Sequence, residues 1–177
     1  MNKYLLPPGF KDELHDKVKI EHIYKNKIVN FFLINGFELV KTPLIEYYDK
    51  NLHKNNFVFK NKNEKKFYTF RDDITLQVAR LASSRLKHKY RPIKLCYYGD
   101  VIRRKGSMLR PEREFLQIGA ECIGEDSLNA DIEIIDTAYQ SLNLAGIKDL
   151  TIELSSSVFL NYLTKKISNK QKLKNIY

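Results

Sequence analysis

The most informative segment of the chain is residues 93–123, which read IKLCYYGDVIRRKGSMLRPEREFLQIGAECI. The segment is typical of two β-strands joined by a basic loop. Apolar and polar positions alternate strictly in the second arm. One face of that arm holds Leu116, Ile118, Ala120 and Cys122, and the other holds Gln117, Gly119 and Glu121. The pattern predicts a hairpin with one apolar face and one face that carries polar groups.

The first arm of this hairpin has the same period of two. One of its faces carries Tyr97, Gly99, Val101 and Arg103. If Arg103 lies opposite Phe115, then Gly99 lies opposite Gly119, because antiparallel pairs keep a constant sum of residue numbers. Glycine in a strand often marks a place where a ligand or another backbone comes close. We therefore expect a floor of two glycines, with polar groups at its rim, that suits a small molecule carrying both charges.

A purely structural explanation of the same residues stays open. Glu121 and Arg103 can form an ion pair that only holds the sheet together, with the two glycines at β-bulges. The spacing of the residues does not separate this explanation from a ligand site.

The composition is that of a globular protein. The chain has 177 residues, 43% of them hydrophobic and 12% aromatic, which predicts one domain over residues 1–177. No window approaches the roughly 18 apolar residues that a membrane span needs, so we expect a cytoplasmic protein without a membrane partner. Cys96 and Cys122 lack CxxC spacing and the histidines are scattered, so we expect reduced thiols and no metal.

The positive charge is unevenly distributed. The net charge is +10, and every arginine falls between Arg71 and Arg113, whereas lysines occur throughout. The planar guanidinium suits the recognition of carboxylates and phosphates. An RNA-binding module is one hypothesis for this arginine cluster, but no aromatic stacking array accompanies it, which disfavours a nucleic-acid partner.

The remaining patterns predict helices and strands around the hairpin. Helices are expected at residues 15–35, after Asp72 or Asp73, at 129–145 and at 155–167, with Gly36 and Gly146 after two of them. Strands are expected at 37–45, where Pro43 favours an edge or an interface, at 57–59, 67–70 and 150–154, and residues 168–177 read as a charged tail. The order indicates an α+β fold with a mostly antiparallel sheet flanked by helices.

The buried faces of the two long helices follow from their apolar periodicity. The first helix is expected to bury Ile20, Ile23, Tyr24, Ile28, Phe31 and Ile34. The helix at 129–145 is expected to bury Ile132, Ile135, Ala138, Tyr139 and Leu142. The first helix and the strand after it serve either core packing or a shared dimer surface, and the sequence leaves both open.

Asp73 has two possible roles. An aspartate at the start of a helix is often only a cap. A carboxylate at a strand-to-helix junction can also reach into a pocket beside the sheet, where Thr75 would support it.

Several motifs together resemble a known family. They are LLPPGFKD, GFELVKTPLIEY, FRDDITLQVARLA, LCYYGDVIRR, and LQIGAECIG followed by ADIEIIDTA. In this order the chain resembles the core of histidyl-tRNA synthetase, a class II aminoacyl-tRNA synthetase-like core. Within that group it is more similar to the synthetase-like regulatory subunit of ATP phosphoribosyltransferase.

This resemblance implies a pocket for L-histidine. Asp73 and Thr75 match the residues that hold the amino group, and Arg103 matches the arginine that opens the motif-2 loop. Gln117 and Glu121 match the glutamine and glutamate of the second strand. Carboxylates suit the ammonium group, and a guanidinium suits a carboxylate.

The chain departs from the synthetase where ATP is handled. In the synthetase, a glutamate that contacts the adenine end follows the first loop arginine closely, whereas here Arg104 and Lys105 follow it. Pro111 and Glu114 stand where a basic residue and a glutamine are expected, and Arg113 alone is retained as a candidate phosphate-binding residue. The chain also stops before the motif-3 region and the anticodon-binding domain. We therefore expect no cofactor and no catalytic residues.

The resemblance implies a non-catalytic regulatory subunit of ATP phosphoribosyltransferase, which acts at the first step of histidine biosynthesis. It would bind histidine for feedback control and support a short catalytic subunit, as a homodimer or hetero-oligomer. The alternative is a truncated histidyl-tRNA synthetase core that activates histidine with ATP.

Overall fold

The computed structural model describes residues 5–52 and 56–166 of the chain. The chain divides into two compact units, Met1–Ile147 and Lys148–Tyr177. The single domain expected over residues 1–177 stays a prediction. Among the described residues, no helix is long and apolar enough to cross a bilayer.

The first unit contains six strands and three helices among its described residues. In chain order they are α1 (His15–Ile34), β1 (Glu38–Val40), β2 (Ile45–Tyr47), β3 (Val58–Lys60), β4 (Phe67–Phe70), α2 (Thr75–Ser83), β5 (Ile93–Ile102), β6 (Glu114–Ile123) and α3 (Leu128–Leu144). One sheet has the order β1-β5-β6 and the other the order β2-β4-β3. Only the β1–β5 pair is parallel, so the predicted α+β class with a mostly antiparallel arrangement is confirmed.

The single strand predicted at residues 37–45 is wrong. The segment instead supplies β1 to the first sheet and β2 to the second, with residues 41–44 crossing between them. Pro43 lies in the crossing and has no N–H to give to a sheet ladder. Arg71, directly after β4, holds the crossing segment in place, since its backbone N–H donates to the Leu44 carbonyl at 3.0 Å.

The helix α1 ends as predicted, with Gly36 in the left-handed region at a φ of 82°. Its predicted buried face is only partly right. Ile28 and Phe31 pack against the buried cluster of Phe32, Phe37 and Cys96, whereas Ile20 is 55% exposed and Ile34 is 86% exposed. The helix buries residues near its C-terminal end because Phe37, three residues after that end, belongs to the same apolar cluster.

The helix α3 begins at an N-cap, where the Ser127 hydroxyl oxygen accepts from the Ala130 N–H. The predicted buried face is wrong, because a different side of the helix faces the core. Ile134 packs against the core and Thr137 is buried, whereas Ile132, Ala138, Tyr139 and Leu142 are exposed. The helical period is right, and an ion pair between Lys94 of β5 and Glu133 holds the turn that faces the sheet.

The second unit contains α4 (Ser157–Lys166), which confirms most of the helix predicted at 155–167. The strand predicted at 150–154 is wrong, because these residues form neither strand nor helix. A strand needs a partner for its backbone groups, and no strand is present in the described part of this unit. The tail predicted at 168–177 lies outside the described residues.

Candidate functional site

The register of the β5–β6 hairpin differs by two residues from the predicted one. Gly99 lies opposite Gln117 and Tyr97 lies opposite Gly119, so the predicted pair of facing glycines is wrong. A shift of two residues leaves every side chain on its original face, because side chains alternate with a period of two. The resulting face carries Leu95, Tyr97, Gly99, Val101, Phe115, Gln117, Gly119 and Glu121.

The loop between the two strands sets this register. The Arg103 N–H donates to the Arg113 carbonyl at 2.7 Å, so Arg103 faces Arg113 and not Phe115. Arg113 is in turn fixed by the N-terminal segment, since its N–H donates to the Gly9 carbonyl at 2.9 Å. The way the hairpin loop closes therefore depends on a contact with Gly9, which lies about a hundred residues before Arg113 in the sequence.

The space beside both glycines is filled by the protein itself. A Cβ atom on Gly119 would lie 2.5 Å from Cζ and from the hydroxyl oxygen of Tyr97. A Cβ atom on Gly99 would overlap the Arg71 guanidinium. The predicted open floor above the glycines is therefore wrong, because the Tyr97 ring and the Arg71 guanidinium occupy it.

The Tyr97 phenol connects two of the predicted site residues. It donates to Glu121 Oε1 at 3.1 Å, and Thr75 Oγ1 lies 3.0 Å from the same phenol oxygen. Burial, together with the nearby Glu121 charge, raises the pKa of Tyr97 to about 12. The phenol therefore stays protonated near neutral pH and acts as a fixed donor to the carboxylate. Its place on the polar face of the first arm was the sequence signal for this role.

Asp73 and Gln117 form the second connected pair. Gln117 Nε2 donates to Asp73 Oδ2 at 3.1 Å, and Gln117 Oε1 accepts from the Ile74 N–H at 3.0 Å. Asp73 Oδ1 also accepts from the Thr75 N–H at 2.6 Å. The carboxylate thus holds the N–H of the first residue of α2 and contacts the hairpin face at the same time, although the N-cap position itself is Ile74; the pocket role of Asp73 stays a prediction.

Arg103 and Asp73 line the same cavity. The cavity has a volume of about 560 Å³ and is lined by Asp72, Asp73, Arg103, Arg104 and Lys105. The Arg103 guanidinium stacks over the Phe115 ring at 4.9 Å. Arg103 and Glu121, both among the described residues, form no ion pair with each other, since Glu121 accepts from Tyr97 and Arg103 stacks on Phe115, and the hairpin ladder runs without a bulge. The ion pair and the bulges of the structural explanation are therefore wrong, and the ligand role of these residues stays a prediction.

Arg113, the candidate phosphate-binding residue, is engaged with the N-terminal segment. Its Nη1 donates to the Pro8 carbonyl at 2.9 Å and its Nε donates to the Arg103 carbonyl at 3.2 Å. The guanidinium also lies over the rings of Phe10 and Phe57. A phosphate would have to bind those N–H groups of the Arg113 guanidinium that do not already donate to Pro8 or Arg103.

Arg71 is a residue that the sequence did not single out. It is 6% exposed, and its Nε donates to the Asp100 carbonyl at 2.7 Å. Its Nη1 donates to the Thr42 carbonyl at 2.9 Å, and its own carbonyl accepts from the Ile102 N–H at 2.9 Å. Arg71 thus joins the strand end before Arg103 to the loop that carries Asp73. Its place two residues before Asp73, inside the arginine cluster, was the available signal.

The fold and the site together define a class II aminoacyl-tRNA synthetase-like core. A solved ATP phosphoribosyltransferase regulatory subunit/histidyl-tRNA synthetase from Bacillus halodurans is similar with a TM-score of 0.84 and 25% identity, over 97% of this chain and 46% of that chain. The apo histidyl-tRNA synthetase of S. aureus is similar with a TM-score of 0.69 and 25% identity, over 81% of this chain and 35% of that chain.

The family model described as histidyl-tRNA synthetase matches residues 9–177, and the chain belongs to this family. The ATP phosphoribosyltransferase regulatory subunit of Rhodospirillum rubrum is 39% identical over 158 residues, which are 85% of this chain and 41% of that protein. The subunit of the same name from Clostridium novyi is 30% identical over 171 residues, or 93% of this chain and 40% of that protein. The chain thus spans about two fifths of the length of these curated relatives.

Proposed function

We propose that the chain acts as a non-catalytic regulatory subunit of ATP phosphoribosyltransferase, at the first step of histidine biosynthesis. The observation that carries the proposal is the pair of hydrogen-bonded chains, Asp73–Gln117 and Thr75–Tyr97–Glu121, on one side of the hairpin. The relatives named as regulatory subunits support the same function.

The ligand is L-histidine, and its groups match the charges of the site. The Asp73 and Glu121 carboxylates accept from the ammonium group and from an imidazole N–H. The Arg103 guanidinium, which lines the same cavity as Asp73, pairs with the ligand carboxylate. The Thr75 N–H and Gln117 Nε2 already donate to Asp73, and the Tyr97 phenol donates to Glu121, so both carboxylates are held in place before the ligand arrives.

Two features support a role without adenylate formation. Arg104 and Lys105 line the cavity, so cations stand where the synthetase needs an acceptor for the adenine end. The Arg113 guanidinium is held by two carbonyl groups, that of Pro8 in the N-terminal segment and that of Arg103. Without positioned groups for ATP, adenylate formation would lack most of its electrostatic stabilisation.

Feedback control requires assembly with a short catalytic subunit, as a homodimer or hetero-oligomer in the cytoplasm. Exposed apolar side chains on α1, such as Ile20 and Ile34, support such an assembly. Histidine can favour the inhibited assembly only to the extent that it binds that state more tightly, and the coupling is reciprocal.

The test is to mix the purified chain with a short catalytic subunit and to measure phosphoribosyl transfer with and without histidine. The two chains should co-purify, the chain should raise the rate of the catalytic subunit, and histidine should lower it again. A well-folded preparation that neither binds the catalytic subunit nor changes its rate contradicts the proposal. Histidine-dependent pyrophosphate exchange, measured in parallel, would instead indicate the synthetase alternative.

A further inference from the structure

The tip of the β5–β6 loop presents two apolar side chains to solvent. Met108 is 102% exposed and Leu109 is 99% exposed. Ser107 and Arg110 close the turn on both sides of them, since the Ser107 N–H donates to the Arg110 carbonyl at 2.7 Å and the Arg110 N–H donates to Ser107 Oγ at 3.0 Å. The central positions of tight turns are usually polar residues, glycine or proline. A fully exposed Met-Leu pair there stabilises nothing within the described chain.

The loop that carries this pair has a fixed base. The Arg103 N–H donates to the Arg113 carbonyl, and Gly106 packs so closely on the Pro111 carbonyl that a Cβ atom would overlap it. The Arg110 guanidinium stacks over the Phe115 ring at 4.3 Å. A partner that binds Met108 and Leu109 therefore meets a turn that is already ordered, which lowers the entropy lost on binding.

The surroundings of the pair are strongly basic. Residues 103–110 contain Arg103, Arg104, Lys105 and Arg110 and no carboxylate. The complementary surface is an apolar pocket with acidic residues at its rim. Methionine and leucine offer no aromatic face on which bases can stack, which favours a protein partner over RNA.

We propose that Met108 and Leu109 dock into an apolar, acid-rimmed pocket on the catalytic subunit. This inference rests on the proposed function, because it names the surface through which the regulatory chain holds its partner. The two side chains act as the buried anchor, and the basic loop steers the encounter and sets its orientation.

The test compares the Met108→Ser/Leu109→Ser double variant with the wild-type chain by titration against the catalytic subunit. We expect at least about a tenfold weaker Kd for the double variant and an unchanged affinity for histidine on the chain alone. The Leu128→Ser variant is the matched control, because Leu128 is 73% exposed at the start of α3. The conservative Met108→Leu variant should bind like the wild type.

The outcomes separate this inference from the function on which it rests. If the wild-type chain does not bind the catalytic subunit, the proposed function fails. If the wild-type chain binds and the double variant binds within about twofold of it, only the loop assignment fails. The assignment is also overturned if the double variant binds the catalytic subunit as well as the wild type does but no longer binds RNA or anionic lipid vesicles.

Discussion

Replacing Gly119 with alanine places a methyl group where the Tyr97 ring lies. The new Cβ atom would lie 2.5 Å from Cζ and from the phenol oxygen, and 2.8 Å from Cε2. Ordinary van der Waals contacts begin near about 3.5 Å, so the ring has to move by roughly 1 Å. Tyr97 then loses its bonds to Thr75 Oγ1 at 3.0 Å and to Glu121 Oε1 at 3.1 Å.

The magnitude follows from two contributions. Overpacking in a filled site costs about 1–3 kcal/mol. Each hydrogen bond lost by the phenol adds about 0.5–1.5 kcal/mol. The free energy of unfolding should therefore fall by about 2–6 kcal/mol, and the affinity for histidine should fall with it because the Glu121 carboxylate loses its donor.

The assay is urea unfolding of the Gly119→Ala variant, followed by histidine titration under conditions where it is folded. The Gly119→Ala/Tyr97→Leu double variant provides the internal control, because a smaller side chain at position 97 relieves the overlap. We expect a favourable coupling of at least about 1 kcal/mol between the two changes. A single variant that loses less than about 0.5 kcal/mol, or a cycle without coupling, refutes the packing described for Gly119 and Tyr97.

Three further predictions concern stability. Gly99→Ala should lower the free energy of unfolding by about 2–4 kcal/mol in urea melts, because the Arg71 guanidinium loses its buried hydrogen bonds. Burial raises the pKa of Tyr97 from 10.0 to about 12, so its protonated form stabilises the fold fully below pH 10 and this contribution, up to about 3 kcal/mol, is lost between about pH 10 and 12. The free energy of unfolding, measured by urea melts, should fall between about pH 9 and about pH 11.5, and it should fall less for Tyr97→Phe than for the wild type. Ser127→Ala should lower the melting temperature at a cost of about 1 kcal/mol, because the Ala130 N–H loses its cap.

Which side chains share a face of the hairpin could be predicted from the sequence, but not which residues lie opposite each other. The alternation of Gln117, Gly119 and Glu121 is a local property of one strand, and a shift by two residues leaves it intact. The pairing depends on how Arg113 closes the loop, and its partners Pro8 and Gly9 are far away in the sequence. No pattern within the hairpin contains that information.

The same distinction applies to the helices and to the space above the sheet. The periodicity of α3 predicts a helix, but whether Ile134 or Ile135 faces the core depends on contacts with other elements. The two glycines correctly mark close approach. The partners that approach, Arg71 and Tyr97, come from the fold and not from a ligand.

The most direct test of the account is calorimetric titration of the chain with L-histidine. Saturable one-to-one binding is expected for the wild type, with at least about a tenfold weaker Kd for Glu121→Gln, because a neutral amide loses the charge that holds the ligand cation. Glu125→Gln, which removes an exposed carboxylate next to the same strand, should bind like the wild type. An absence of binding heat, or equal affinities for Glu121→Gln and the wild type, would contradict the histidine site.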